Sequence, residues 1–163
     1  MKTKQEIFDT LISEDLGMLR AAAFRILGDQ NEVDDAVQEA LITAWNKYSL
    51  FRSGAKLSSW VYRITINKCC DRLRKRKREA EKLKNFAACS ESSSSSENSD
   101  QCQLLLETVA DLSEPHRETI LVGVLGGFSS AAAAAMLGCS VNALHQRIFR
   151  AKKVLKEALE KVI

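Results

Sequence analysis

The side chains best suited to chemistry in this chain are cations. Arg72, Arg74, Lys75, Arg76, Lys77 and Arg78 trail a helical segment that also carries Arg63, Asn67 and Lys68, and a run of this kind neutralises phosphates. Taken alone it fits a solvated helix face equally well. A second basic feature favours nucleic acid: a helix–turn–helix pattern near the C-terminus, whose last helix shows Asn142, His145, Gln146, Arg147, Phe149 and Arg150 opposite the apolar series Leu144, Ile148, Ala151, Leu155 and Leu159. Amide and guanidinium groups on one helix face suit the edges of a major groove, where Gln can pair with adenine and Arg with guanine. Two cationic helical modules on one chain can hold two separated duplex segments, because the tether raises the effective concentration of the second contact.

Asp34, Asp35, Gln38 and Glu39 form a polar stripe opposite Val33, Ala36, Val37, Ala40, Leu41, Ala44 and Trp45. Paired carboxylates can do acid–base or metal chemistry. Here both histidines, His116 and His145, lie in the other half of the chain, and neither a glycine-rich phosphate cradle nor a Ser/His/Asp or Cys/His arrangement is recognisable. Neither an enzyme nor a metal or other cofactor is expected. The stripe fits a solvated face or a surface that docks on a basic protein partner, with charge setting the register. Tyr48, Phe51, Trp60 and Tyr62 surround the loop before the basic helix, and aromatic faces beside cations suit unstacked single-stranded bases. The spacing of Trp60 with Leu57, Val61 and Ile64 is a packing pattern and assigns it to the core. Phe51 and Tyr62 are left open to a base-binding surface.

Helices must position these groups. One proline and seven glycines in 163 residues leave little punctuation for strands, and helical periodicity appears in every strong segment, so the fold class is all-α. Leu16, Leu19, Ala23, Ile26 and Leu27 lead to Gly28, a C-cap. Tyr48 to Lys56 reads as a loop through Ser53-Gly54, and Ser113 with Pro115 opens a later helix. Ser129/Ser130 opens a short helix through Leu137, Gly138-Cys139 turns, and Ser140 caps the last helix. Between the halves, CSESSSSSENSDQC is serine-rich and acidic, a composition that cannot offset its ordering entropy by burial. The expected organisation is a helical domain over 1–85, a flexible linker over 86–103 and a helix–turn–helix domain over 104–163.

Composition agrees. Hydrophobic residues make up 45% and charged residues 28%, which excludes collagen-like and wholly disordered chains. The net charge of +3 hides a balance of +5 over 1–78, −5 over 79–111 and +3 over 112–163. No apolar run is long enough to span a bilayer and the start has no signal-peptide core, so no membrane insertion and a cytoplasmic location are expected. Five cysteines, Cys69, Cys70, Cys89, Cys102 and Cys139, show no CxxC and read as reduced structural thiols. Neighbours on a helix point about 100° apart, which disfavours a Cys69–Cys70 bridge.

Val33-Asp34-Asp35-Ala36-Val37-Gln38-Glu39 through Ala44-Trp45 resembles the acidic signature of region two of bacterial sigma factors. Phe51 … Leu57-Ser58-Ser59-Trp60-Val61-Tyr62-Arg63-Ile64 … Asn67 … Asp71-Arg72-Leu73-Arg74 is similar to its continuation. Leu112-Ser113-Glu114-Pro115 … Arg117 … Gly127-Phe128-Ser129 … Leu137-Gly138-Cys139-Ser140 … Arg147-Ile148-Phe149-Arg150-Ala151 resembles region four. Both regions with little between them resemble the extracytoplasmic-function (ECF) group.

The resemblance implies a sigma factor that binds core RNA polymerase and directs promoter-specific initiation. It implies docking of Asp34, Asp35, Gln38 and Glu39 on the β′ clamp helices, with the β flap as a further polymerase partner. It implies that Phe51, Arg52, Ser53, Gly54, Ala55 and Lys56, with Asn67 nearby, capture a minus-ten base. Arg63, Lys68, Arg72, Arg74 and Lys75 would hold the adjoining phosphates. Asn142, His145, Gln146, Arg147, Phe149 and Arg150 would read the minus-thirty-five element. An anti-sigma factor is an implied partner. The competing reading is a sigma-like mimic that sequesters an anti-sigma regulator without touching DNA. Ala131 to Ala135 replaces a more acidic, branched stretch of the family, which implies a helix with a thinner core.

Overall fold

The helices follow one another as Lys4–Leu27 (α1), Gln30–Asn46 (α2), a 3₁₀ turn at Tyr48–Leu50, Leu57–Phe86 (α3), Glu97–Asp111 (α4), Glu114–Gly123 (α5), Ser130–Leu137 (α6) and Val141–Val162 (α7). This computed structural model describes residues 1–52, 54–86 and 97–163, with Glu97 described by its backbone alone. Every regular element among the described residues is helical, as the periodicity predicts.

The helix ends are written in local chemistry. Thr3 and Glu6 form a capping box on α1: the Thr3 hydroxyl accepts from the Glu6 N–H at 3.3 Å, and the Glu6 carboxylate accepts from the Thr3 N–H at 2.7 Å. Gly28 ends α1 at φ 69°, a left-handed conformation that glycine adopts without a Cβ penalty. The Asp29 carboxylate caps α2 by accepting from the N–H groups of Asn31 and Glu32. Ser129 and Ser140 cap α6 and α7, each accepting at 3.1 Å from the N–H three residues on. Ser113 occupies the N-cap position of α5 but its side chain makes no capping bond, and Pro115 in the first turn presets the helical φ instead.

Helix α4 begins earlier than composition indicates. Phe86 closes α3, and Glu97–Gln103 are helical although they fall in the 86–103 stretch assigned to a linker. Glu97 and Asp100 lie in the first turn of α4, where negative charge complements the positive end of the helix dipole. Averaging over the serine run hides that signal. Residues 87–96, including Cys89 and Ser92 to Ser96, lie outside the described residues, as does Ser53.

Two bundles result: α1 and α2 pack on α3, and α5, α6 and α7 pack on one another, with α4 touching both α3 and α7. The apolar faces do not stop at the boundary between them. Phe8, Leu19, Val33, Val37, Val61, Ile66 and Leu73 of the first bundle share one continuous core with Val109 of α4 and with Ile120, Leu121, Leu144 and Ala151 of the second. Tyr62 is 2% exposed, and its ring meets Phe128 edge-on at 5.3 Å. Gly126 permits that approach, because a Cβ there would lie 2.7 Å from the Phe128 ring. In the alanine run, Ala133 and Ala134 are buried while Ala131, Ala132 and Ala135 face outward. No described helix is long and apolar enough to cross a membrane.

Candidate functional site

Helix α2 buries Val33, Ala36, Val37, Ala40 and Ala44 on one side, which forces the four polar residues outward. Asp35, Gln38 and Glu39 are exposed and Asp34 is half-buried. Asp34 pairs with Arg20 of α1 at 2.8 Å, and Glu39 pairs with Arg72 of α3. Asp35 and Gln38 are left facing solvent, beside a shallow groove that Ile12, Leu16, Val37 and Leu41 line. A rigid helix thus presents acceptors next to apolar surface, the composition of a protein-docking patch. No cluster of three or more His, Cys, Asp or Glu side chains able to hold a metal occurs among the described residues.

The turn after α2 places Phe51 at the end of a line of aromatic rings. Phe8 meets Trp45 and Tyr48 edge-on at 5.1 and 5.6 Å, Tyr48 stacks on Phe51 at 6.0 Å, and Phe51 tilts against Trp60 at 5.4 Å. Phe51 is half-buried, and Arg52, Gly54, Ala55 and Lys56 are exposed. Trp60 is also half-buried against the core. Tyr62, left open to a base-binding surface, is enclosed between the two bundles with its ring against Phe128; a helical period cannot show that both sides of α3 are covered at this turn.

Helix α3 carries the expected phosphate contacts, and most of them are already engaged. Arg63 donates to Glu118 of α5 through Nε at 3.1 Å and Nη2 at 2.7 Å, both to Oε2. Asn67 donates to the other Glu118 oxygen at 3.1 Å and accepts two bonds from Arg117. Arg72 pairs with Glu39, and its buried Nε has no hydrogen-bond partner among the described residues. Arg74 reaches the Ala110 carbonyl at 3.2 Å and also pairs with Asp71. Arg76 pairs with Glu32, and Lys77 with Asp111 at 2.9 Å, a bond that raises the Lys77 pKa. Lys68 and Lys75 make no ion pair among the described residues.

Asn142, His145, Gln146, Arg147, Phe149 and Arg150 are all exposed along the outer face of α7, while Leu144 and Ala151 are buried on its inner face. Phe149 is 74% exposed and adds nothing to the core. The His145 ring lies 3.4 Å from the Ser130 hydroxyl, tying α7 to the start of α6. Arg147 and Arg150 line a cleft of about 480 Å³ that Arg63, His116 and Glu118 also line. Cations from α3 and α7 therefore face one space.

Cys69 and Cys70 are free and buried in the core. Burial pushes the Cys69 thiol up to about 12 and the Cys70 thiol up to about 11, so neither is a ready thiolate. Cys102 is exposed and Cys139 half-buried.

Glu118 and Arg117 are the residues that sequence reasoning left without a role. Both are buried, and Arg117 falls three and four positions before Ile120 and Leu121, on the apolar side of α5. A charged residue at an apolar phase is the signal that marks it, since buried charges require partners.

Residues 11–79 match the family model Sigma-70 region 2, and residues 102–155 match Sigma-70, region 4. The chain is 30% identical over 142 residues to the ECF RNA polymerase sigma factor EcfG of Rhodopseudomonas palustris, covering 86% of this chain and 78% of that relative. It is 29% identical over 145 residues to the ECF RNA polymerase sigma-E factor of Escherichia coli, covering 81% and 76%. Its fold resembles the sigma factor RpoE solved in complex with the anti-sigma factor NepR from Bartonella quintana, with a TM-score of 0.52, 30% identity, and coverage of 94% of this chain and 96% of that one. The two regions in this order, with their polar faces exposed on α2 and α7, place this chain in the ECF group of bacterial RNA polymerase sigma factors.

Proposed function

We propose that this chain acts as a dissociable, non-catalytic specificity subunit that binds core RNA polymerase and directs initiation at its own promoters. Residues 1–85 serve polymerase docking and minus-ten recognition, and residues 104–163 serve minus-thirty-five recognition. Asp34, Asp35, Gln38 and Glu39 dock on the β′ clamp helices. Phe51, Arg52, Ser53, Gly54, Ala55 and Lys56 capture an unstacked base, with Asn67, Arg63, Lys68, Arg72, Arg74 and Lys75 on the adjoining strand. Asn142, His145, Gln146, Arg147, Phe149 and Arg150 read the upstream duplex. The work takes place in the cytoplasm, where the polymerase acts, and an anti-sigma factor is the expected inhibitor.

The observation that carries this reading is the uncovered polar face of α7 on the same chain as the acceptor stripe of α2. One face suits DNA and the other suits a protein, so the chain can bridge them. That exposure also weighs against a mimic that never touches DNA. Opening the duplex draws on binding: kinking or unstacking costs a few kcal/mol per base step, and new contacts to the opened strand offset it. The test is run-off transcription with core polymerase and a genomic promoter library. Discrete products that depend on the added chain are expected; products unchanged by its addition would contradict the proposal.

A further inference from the structure

We propose that Glu118 acts inside the free chain as a stand-in for a promoter phosphate, masking Arg63 and Asn67 until the two bundles separate. The inference rests on the DNA role proposed above for those two residues. Arg63 offers its Nε and Nη2 together to one Glu118 oxygen, at 3.1 and 2.7 Å, and Asn67 donates to the other at 3.1 Å. The same guanidinium edge grips a phosphate oxygen in protein–DNA contacts. A phosphate at that edge must displace the carboxylate. The Glu118 side chain is only 7% exposed, so stripping its partners while α5 stays in place would leave an uncompensated buried charge. Release of Arg63 and withdrawal of α5 from α3 are therefore one event.

Further contacts hold the same closure. Arg25 of α1 donates to the Leu125 and Gly126 carbonyls at 3.1 and 3.2 Å, Arg74 reaches the Ala110 carbonyl at 3.2 Å, and Lys77 pairs with Asp111 at 2.9 Å. The Arg25 bonds tie α1 to the loop after α5, and the Arg74 and Lys77 bonds tie the basic run of α3 to the end of α4, which itself packs on α7. The closed chain thus spends its DNA-facing groups on itself. Apparent DNA affinity then falls in proportion to the fraction of open chains, and any partner that binds the open form alone raises it.

The experiment compares the full chain with Glu118→Ala, with Arg25→Ala, and with the double variant Glu118→Ala/Arg63→Ala. Small-angle scattering reads the radius of gyration, and fluorescence anisotropy reads affinity for a fluorescein-labelled single-stranded thymidine 20-mer. Arg25 is exposed and has no assigned contact to DNA or polymerase, so its variant decides if Glu118→Ala does not fold. Both single variants should expand and bind the oligonucleotide about fivefold or more tightly, and adding Arg63→Ala should abolish the gain. An unchanged radius of gyration overturns the clasp. Expansion without a gain in affinity overturns the masking. A gain that survives Arg63→Ala overturns the DNA role of Arg63, which is the fault of the underlying assignment and not of the closure.

Discussion

Asn67 and Arg117, fifty residues apart, share one amide: Arg117 donates to Asn67 Oδ1 through Nε at 3.2 Å and through Nη2 at 3.0 Å. Its Nη1 donates to the Leu112 carbonyl at 3.1 Å, so the buried guanidinium is satisfied on three sides. The pair fastens α3 to α5 beside the Arg63–Glu118 bridge.

Truncating Asn67 leaves two buried donors without an acceptor, a loss of about 1–3 kcal/mol. Asn67→Ala should therefore lower the free energy of unfolding by that amount in urea titrations at neutral pH. An unchanged midpoint would mean that the two bundles do not close in solution as described.

The buried thiols give a second expectation. With burial holding the Cys69 thiol up at about 12 and the Cys70 thiol at about 11, iodoacetamide at pH 8 should alkylate exposed Cys102 and leave Cys69 and Cys70 untouched until urea is added, as read by peptide mass mapping. Linkage fixes the sign with pH. Both groups have folded pKa values above the ordinary 9.0, so their stabilising contribution is complete below about pH 9 and is lost as the pH rises toward 12. Unfolding free energy should fall across that window, and rapid labelling of Cys69 at pH 8 in native protein would contradict the buried placement.

Function and stability should separate on α7. Gln146→Ala and Arg147→Ala remove exposed side chains and should leave thermal stability within about 0.5 kcal/mol, while each lost base contact costs about 1–3 kcal/mol of discrimination in the upstream duplex. Ser140→Ala should do the reverse in part, costing about 1 kcal/mol of stability through the lost cap bond. Footprinting of the holoenzyme on a recovered promoter, beside melting curves of the free chain, checks both halves of the statement.

The helices were legible in the sequence because their faces repeat locally. Val33, Ala36, Val37, Ala40, Ala44, Leu144 and Ala151 are buried where the spacing places them, Leu41 and Ile148 are half-buried and Trp45 at the end of the α2 series is exposed, and Gly28, Ser129 and Ser140 cap where their chemistry directs. What the sequence hid is the meeting of the bundles. Arg63 and Glu118 lie 55 positions apart, and a pair at that separation leaves no periodic trace. The burial of Tyr62 is hidden for the same reason, since it depends on Phe128, a residue of the other bundle. The start of α4 at Glu97 was masked by the serine run before it. Arg117 alone carried a hint, as a cation in phase with Ile120 and Leu121.

For the proposed docking of the α2 acceptor stripe on core polymerase, Asp35 is the residue to test, being exposed and without an ion-pair partner among the described residues. Purified chain mixed with core polymerase, with every anti-sigma factor absent, should elute as a stable complex in size-exclusion chromatography with native mass detection. Asp35→Arg should weaken that association at least about tenfold, equivalent to 1.4 kcal/mol, with the melting curve unchanged. Failure of the unmodified chain to associate, or full association by the Asp35→Arg variant, would contradict docking through α2.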